Sequence, residues 1–350
     1  MQEARPRRLT DGLDAARAGA EAYELARDLY PLPRSLTGDG VRETLRLVGD
    51  VVPLEVTEVP TGTPIFDWTV PREWNVADAW IADSSGRRIV DFRASNLHVL
   101  GYSRPVRESL TGAELLEHLH SLRDQPDRVP YRTAYWADTW GFCVAERQRQ
   151  QIRPDERYEV VVDATLEDGH LSYGEAVVPG ESEEEVLLST YVCHPSLAND
   201  NVSGIAVLAV LGRLLAARRL RRTHRLLFSP GTVGPLTWLS RNLGGLERIH
   251  AGLVVACVGD AGPVRYKRSR RGDAAVDRAD VAVMSGDENS HSRSSASTSA
   301  SAAPATTSNG SSARSAICSS DRVPSDWLRT HMSARWDASS SRGTPALISP

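Results

Sequence analysis

A short apolar run, a polar loop and a long Ala/Leu-rich run follow one another in the middle of the chain. The first run, residues 186–190, has the length of a buried strand, and the last, residues 205–215, has the length and composition of a helix. A strand that leads through a loop into a helix is the first half of a βαβ unit, which builds a sheet covered by helices. Because ligands bind at the carboxyl ends of such strands, the loop between the two runs is the expected functional site.

The loop contains one imidazole and one carboxylate, those of His194 and Asp200. Both groups are ligands that a zinc ion accepts. Asn199 and Asn201 bracket Asp200 and are placed to orient its carboxylate through hydrogen bonds. From the residues alone, a second interpretation stands beside the metal site, in which His194 forms hydrogen bonds within its loop and binds no ion.

Segment 194–204, HPSLANDNVSG, resembles the metal loop of the co-catalytic zinc aminopeptidases, in which a His and a later Asp ahead of Ser-Gly begin the metal site. Segments 31–40, 66–75 and 140–143 are similar to segments of bacterial proteins called aminopeptidase-like, a family largely of unknown function. The likeness extends over residues 24–273. It implies a three-layer α/β fold of the phosphorylase/hydrolase type with a mixed sheet, and zinc-dependent hydrolysis of a peptide or amide bond.

The resemblance also implies a third metal ligand. Asp260 follows a predicted strand, residues 251–258, and corresponds to the acidic ligand that joins the loop His and Asp on one metal. Three protein ligands leave one coordination position for water, which is the pattern of a catalytic zinc site. The alternative is that Asp260 is an ordinary turn residue.

Two features of the aminopeptidase pattern are missing. The turn at residues 228–234 has no carboxylate, and Gly231 stands about where the family has its general base and a second-metal ligand. For the late His of the second metal, the tail offers only His291 and His331, both in low-complexity sequence. We therefore predict one zinc site, an incomplete second site, no identified general base and impaired hydrolysis.

Other interpretations of function remain open at this point. A non-catalytic or degenerate binding protein would keep the fold and at most one zinc. An accessory protein of a sugar or cell-surface-polymer pathway follows from the family association alone and has no residue evidence. Lys267, Arg268 and Arg270 follow Asp260 closely and are candidates for binding a substrate carboxylate or phosphate, with an ordinary surface loop as the alternative.

The chain is predicted to have three parts. Residues 1–50 and 136–280 form the aminopeptidase-like α/β domain, and residues 51–135, with short β-rich runs between Pro and Gly turns, form an inserted subdomain. Residues 281–350 are rich in Ser, Ala, Thr and Arg and are predicted to be disordered. Our hypothesis is that this tail is out-of-frame translation, and a genuine disordered tail is the rival interpretation.

Composition excludes several classes of partner. A net charge of −4 over 350 residues gives no electrostatic reason to bind nucleic acid or an anionic membrane. No run of about 18 apolar residues occurs, so no membrane span is predicted. The four Cys residues are scattered along the chain, which suits free thiols in a reducing compartment. The N-terminus lacks the apolar core of a signal peptide, so a cytoplasmic location is expected. The expected partner is a small peptide or amide substrate, and the sequence does not indicate an oligomeric state.

Overall fold

The computed structural model describes residue 10, residues 12–262 and residues 265–279. The predicted disordered tail, with His291 and His331, lies outside these residues. In chain order, the helices and strands are α1 (Ala15–Leu29), α2 (Asp39–Gly49), β1 (Glu55–Pro60), β2 (Pro64–Ile65), β3 (Trp68–Thr69), β4 (Glu73–Ala82), β5 (Arg88–Asp91), β6 (Val106–Thr111), α3 (Gly112–Glu117), β7 (Leu119–His120), β8 (Phe142–Cys143), α4 (Glu146–Arg149), β9 (Arg157–Glu167), β10 (His170–Val178), β11 (Ser182–Tyr191), α5 (Gly204–Ala216), β12 (Arg222–Ser229), α6 (Val233–Arg241) and β13 (Ile249–Val254).

A mixed sheet in the order β1–β10–β12–β11–β13 forms the centre of the fold. Strand β11 is parallel to both β12 and β13, whereas β10 runs antiparallel to β12 and to β1. The parallel part arises from two successive strand–helix–strand units, β11–α5–β12 and β12–α6–β13. The predicted α/β fold with a mixed sheet is therefore confirmed.

Helices α1, α2 and α5 contribute to the apolar layer on one face of this sheet. Leu29, Leu45 and Leu208, one from each helix, are at most 1% exposed. They belong to the same buried cluster as Leu226 and Phe228 of β12. Burying one such side chain contributes about 1.5–3 kcal/mol, so this layer holds α5 firmly and anchors the end of the loop that precedes it.

A second, antiparallel sheet in the order β5–β4–β9–β6 shares a core with the opposite face of the main sheet. Leu227, which alternates with Leu226 along β12 and so points to that opposite face, belongs to this second cluster. Ile81 and Val160 of the second sheet belong to it as well. The two sheets are therefore joined by one continuous apolar core.

Residues 158–164 and 171–177, two β-rich runs joined at residues 167–170, predict one hairpin, and this prediction is wrong. Strand β9 pairs with β4 and β6, whereas β10 pairs with β1 and β12. The alternation of buried and exposed residues in β9 indicates which face is buried, but it does not identify the neighbouring strand. The chain crosses from the second sheet to the main sheet between these two strands.

The division of the chain at residues 51 and 136 stays a prediction. Strand β1, which follows residue 51, pairs within the main sheet. Strand β9, which follows residue 136, pairs within the second sheet. The DSSG turn at residues 83–86 predicts a hairpin, and this is confirmed between β4 and β5. Gly86 in this turn has φ +80°, a value that glycine adopts without strain.

The acidic run at residues 181–185 predicts a solvated turn ahead of the buried strand, and this prediction is wrong. Strand β11 begins at Ser182, and Glu185 within it is 6% exposed. Arg225 of the neighbouring strand donates from Nε to Glu185 Oε2 at 2.6 Å and from Nη1 to Glu175 Oε1 at 2.9 Å. A buried carboxylate is tolerated when a charged partner hydrogen-bonds to it, and the acidic run alone does not reveal a partner forty residues later.

The sequence predicts helices over residues 11–30 and 111–122, and both are shorter in the structure. Of residues 11–30, α1 begins only at Ala15, where Asp14 accepts a hydrogen bond from Arg17 N at 2.9 Å as the N-cap. Of residues 111–122, α3 ends at Glu117, and the chain continues into the short strand β7. Among the described residues, no helix combines the length and the apolar composition that crossing a bilayer requires.

Candidate metal centre

The loop between β11 and α5 lies at the carboxyl ends of three parallel strands. Because β11 has β12 and β13 as parallel neighbours, the segments that follow these strands begin at the same edge of the sheet. His194 and Asp200 follow β11, Gly231 follows β12, and Asp260 follows β13. The strand order thus brings all four positions to one edge.

His194 and Asp200 are in contact. Nδ1 of His194 lies 3.2 Å from Oδ1 of Asp200, and the side chains are 22% and 35% exposed. This nitrogen is itself buried and has no hydrogen-bond partner of good geometry. The rings of Tyr131 and Tyr191 flank the imidazole at centroid distances of 5.0 and 5.2 Å. The hydroxyl of Tyr191 also donates to Asp200 Oδ1, so the same residue packs against one group and orients the other.

The charges around His194 favour its protonated form. Burial disfavours an imidazolium, but the neighbouring Cys193 sulfur and the Asp200 carboxylate outweigh it and raise the pKa of His194 to about 10. For Asp200, burial acts to raise the pKa, but the adjacent His194 and the hydroxyl of Tyr191 lower it overall. A metal ion and this proton would therefore compete for the same imidazole nitrogen.

Asp260 is joined to the loop through Asn199. Asn199 Nδ2 donates to Asp260 Oδ2 at 2.8 Å, and Gly262 N donates to Oδ1 at 2.7 Å. Asn199 Oδ1 in turn accepts from Gly259 N at 2.8 Å. Asn199 therefore ties the loop after β11 to the segment after β13.

Gly231 lies against the residues that precede the loop. Its backbone N donates to Cys193 Sγ at 3.2 Å. A Cβ atom at this position would lie 3.2 Å from that sulfur and 3.7 Å from Tyr191 Cβ. A side chain here would thus start beside the His194 loop, where the resemblance places a catalytic carboxylate.

Sequence reasoning missed two residues that contact His194. Arg34, in segment 31–40, is 1% exposed and donates from Nε to the His194 carbonyl oxygen at 2.8 Å. Tyr131 packs against the imidazole ring. The only available signal was that segment 31–40 is similar to the aminopeptidase-like proteins, and this likeness does not say what the arginine contacts.

Comparison with known proteins decides the family. Residues 23–305 match the family model described as "Domain of unknown function (DUF4910)". The chain belongs to the DUF4910 family. This DUF4910 chain is 46% identical over 271 residues to a Clostridium acetobutylicum protein named as a candidate polysaccharide biosynthesis protein with an aminopeptidase-like domain, covering 77% of this chain and 62% of that protein.

Two solved structures are similar to this DUF4910 chain. The crystal structure of a candidate peptidase from Clostridium acetobutylicum has a TM-score of 0.73 at 45% identity, covering 75% of this chain and 62% of that one. A zinc aminopeptidase from Bacillus subtilis has a TM-score of 0.56 at 12% identity, covering 80% of this chain and 78% of that one, and this likeness shows the fold alone. The chain spans about 62% of the length of the Clostridium relatives.

Two residues of the DUF4910 chain, His194 and Asp200, have the spacing of zinc ligands, and the role of Asp260 as a third ligand stays a prediction. Two donor atoms at 2.0–2.1 Å from a tetrahedral zinc lie about 3.3 Å apart, close to the His194–Asp200 distance of 3.2 Å. The carboxylate of Asp260 accepts hydrogen bonds from Asn199 at Oδ2 and from Gly262 at Oδ1. Within the described part of the chain, no three His, Cys, Asp or Glu side chains converge on one metal position.

The basic residues proposed to bind substrate in the DUF4910 chain are exposed. Lys267, Arg268 and Arg270 lie on the segment 265–279. Buried Asp277 organises this segment by accepting hydrogen bonds from the Tyr266 hydroxyl at 2.7 Å and from backbone nitrogens, among them Ala274 N at 2.8 Å. The three cations therefore project from an ordered loop, and their substrate role stays a prediction.

Proposed function

We propose that this chain is a hydrolase-type protein of the aminopeptidase-like kind that binds one zinc ion. His194 and Asp200 hold this ion, with Asp260 as the third ligand. Hydrolysis of peptide or amide bonds by this chain is impaired. The observation that carries the proposal is the contact of His194 with Asp200 at the end of β11, with a buried and unpartnered Nδ1. Zinc, when bound, supplies a Lewis acid that polarises a substrate carbonyl group. The peptidase-like fold of the relatives supports the substrate class.

The surrounding residues hold these groups in place. Tyr191 donates its hydroxyl proton to Asp200 and fixes the direction of that carboxylate. Asn199 holds Asp260. Ser203 accepts from Val258 N at 3.0 Å and donates to the Asn199 carbonyl at 2.6 Å, which joins the loop to the segment after β13 a second time. Outer partners of this kind keep metal ligands oriented.

Impairment follows from the turn after β12. Residues 228–234 contain no carboxylate, so this turn provides no group to take a proton from an attacking water. Gly231 contributes only its backbone N–H, which is directed to Cys193 Sγ. A fold that holds one metal without this base accounts for weak or absent turnover.

Zinc content tests the proposal directly. Wild-type protein, dialysed against a small excess of zinc and then against buffer, is expected to carry about one zinc per chain by plasma mass spectrometry, and His194→Ala almost none. His170→Ala, at the start of β10 outside the loop, is the matched control and should retain the wild-type zinc content. Equal zinc in wild type and His194→Ala would show that the assigned site is wrong.

The second candidate function is a non-catalytic binding protein that keeps the fold and at most one zinc. Gly231 at the position of the expected carboxylate favours it. One zinc per chain without hydrolysis of aminoacyl amides would support the binding protein. Measurable hydrolysis that is lost in His194→Ala would support the enzyme, with Lys267, Arg268 and Arg270 proposed to contact a substrate carboxylate.

A further inference from the structure

Hydrogen bonds join the C-terminal end of α1 and the segment after it to the metal loop, residues 192–203. Carbonyl groups at the end of a helix have no partner within the helix. Here the Leu29 carbonyl accepts from Arg34 Nη1, and the Tyr30 carbonyl accepts from the Ser196 hydroxyl of the metal loop at 2.8 Å. The positive guanidinium also complements the negative end of the helix dipole.

Arg34, five residues after the end of α1, also hydrogen-bonds to the backbone of the metal loop. Its Nε donates to the His194 carbonyl oxygen at 2.8 Å, so one guanidinium holds the end of α1 and the backbone of His194 together. Among the described residues, no ion pair joins Arg34 to a carboxylate. Burial lowers the pKa of Arg34 to about 10, which still leaves it charged at neutral pH. Burying a cation whose hydrogen bonds go to neutral carbonyl groups costs free energy. The guanidinium of Arg34 donates its hydrogen bonds to the His194 carbonyl in the metal loop and to the Leu29 carbonyl at the end of α1.

A third contact extends the arrangement to the neighbouring part of the fold. Asn96 Nδ2 donates to the Pro31 carbonyl oxygen at 3.1 Å. Arg34 and Asn96 line one small cavity together with Tyr131 and Pro195, and its volume is about 10 Å³. Arg34 Nη2 and Asn96 Oδ1 are both buried and both lack a partner. One is a donor and the other an acceptor.

We propose that Arg34 is the positioning residue of the metal loop, and that it fixes the backbone of His194 so that the imidazole faces Asp200. The proposal rests on the function proposed above, and it adds a residue distant in sequence to the same site. We further infer that one buried water in the Arg34–Asn96 cavity accepts from Nη2 and donates to Oδ1. A volume of about 10 Å³ is the minimum that holds a single water molecule, and Arg34 Nη2 and Asn96 Oδ1 are two unpartnered polar atoms on residues that line it.

The test compares Arg34→Met with Arg225→Met. Both substitutions remove a largely buried guanidinium, but Arg225 pairs with Glu185 and Glu175 near the amino end of β11, away from the metal loop. Zinc affinity is measured by competition with a chromophoric chelator, and amide hydrogen exchange is measured by mass spectrometry on peptides that cover residues 192–203.

Arg34→Met is expected to weaken zinc binding about 10- to 100-fold, as loss of an orienting group outside the ligand shell does. It should also accelerate exchange in residues 192–203, while Arg225→Met changes neither quantity. Arg34→Lys can donate to one of the two carbonyls and should fall between wild type and Arg34→Met. It also serves as the test variant if Arg34→Met does not fold. Equal effects of the Arg34 and Arg225 substitutions on both measurements would overturn the proposal.

The two proposals fail in different ways. If wild-type protein binds no zinc, the proposed function fails, and the exchange measurement alone decides whether Arg34 positions the loop. Unchanged exchange in residues 192–203 of Arg34→Met would then overturn its role as well. For the water, a high-resolution crystal structure should show density about 3 Å from both Arg34 Nη2 and Asn96 Oδ1, and a cavity without density there would refute it.

Discussion

Gly231 leaves the turn after β12 without an acid–base group at the point where a side chain would start beside the metal loop. We expect Gly231→Glu to raise zinc-dependent hydrolysis of aminoacyl p-nitroanilides, on the order of 10²-fold above wild type, because a positioned general base contributes at least that much. The new Cβ would lie 3.2 Å from Cys193 Sγ, so the sulfur must shift by a few tenths of an ångström.

Gly231→Gln is the control for this substitution. It has the same size and the same contact with Cys193, but it cannot accept a proton at neutral pH. Equal rates for the Glu and Gln variants would contradict the view that a missing carboxylate limits this chain.

At the level of single residues, the sequence predicts the site residues that follow one strand, but it does not predict a contact from a residue distant along the chain. His194 and Asp200 follow one buried strand, so the strand–loop–helix pattern was enough to place them, and they are in contact. Arg34 is 160 positions away from His194 along the chain, and only the packing of α1 brings it to the loop. No local pattern encodes such a contact.

An ion pair between α2 and β4 gives the stability of the fold a defined pH dependence. Glu73 accepts hydrogen bonds from Arg42 at 2.7 Å and from His170 N at 2.8 Å. Arg42 is the main cause that lowers the pKa of Glu73 to about 2. Because this value lies below the ordinary pKa of 4.5, the carboxylate stabilises the fold above about pH 4.5, and this contribution is lost as the pH falls towards about 2.

We therefore expect the free energy of unfolding of wild type to fall more between pH 7 and pH 3 than that of Glu73→Gln. The difference should be on the order of 1–2 kcal/mol, after allowance for solvent screening at Arg42. Urea titrations at both pH values measure it. Glu43→Gln alters an exposed pair with Arg46, so it should depart from the wild-type pH dependence much less than Glu73→Gln does. Equal pH dependence of wild type and Glu73→Gln would show that the Arg42–Glu73 pair contributes nothing.

Helices were predicted better than strand pairing, for a physical reason. A helix such as α5 closes its hydrogen bonds within its own sequence, so its composition is sufficient to recognise it. A strand forms its hydrogen bonds with another strand, and the alternation of apolar and polar residues along it indicates only which face is buried. This is why β9 and β10 were each recognised as strands and yet assigned to one hairpin, although they belong to different sheets.

The shared core between the two sheets predicts that the described body unfolds as one unit. Leu227 of the main sheet and Val160 of the second sheet lie in one buried cluster, so separating the sheets would expose both. In urea, far-UV circular dichroism and total tryptophan fluorescence, to which Trp74 and Trp140 of that cluster contribute, should report the same midpoint.

Ile81→Ala, at a fully buried position of β4, should lower both midpoints together, with a loss of about 2–5 kcal/mol. Two separated transitions in wild type, or a shift of only one probe in Ile81→Ala, would show that the sheets unfold independently.

The overall class of the molecule was predictable, but the assembly of its sheets was not. Alternating strands and helices between residues 186 and 258, together with the resemblance of spaced segments, predicted the α/β fold and the family, and both are confirmed. The pairing of β1 in the main sheet and of β9 in the second sheet has no local signature, because the partner of a strand is not encoded in the strand's own sequence.

The bond from Arg34 to the His194 carbonyl means that the loop is not a self-sufficient motif. A peptide or graft carrying only HPSLANDNVSG would bring the donor atoms of His194 and Asp200 without the cation that sets their backbone. The geometry of the loop therefore depends on the folded chain around it. A search for related proteins with the loop sequence alone would also retrieve proteins that lack the arginine.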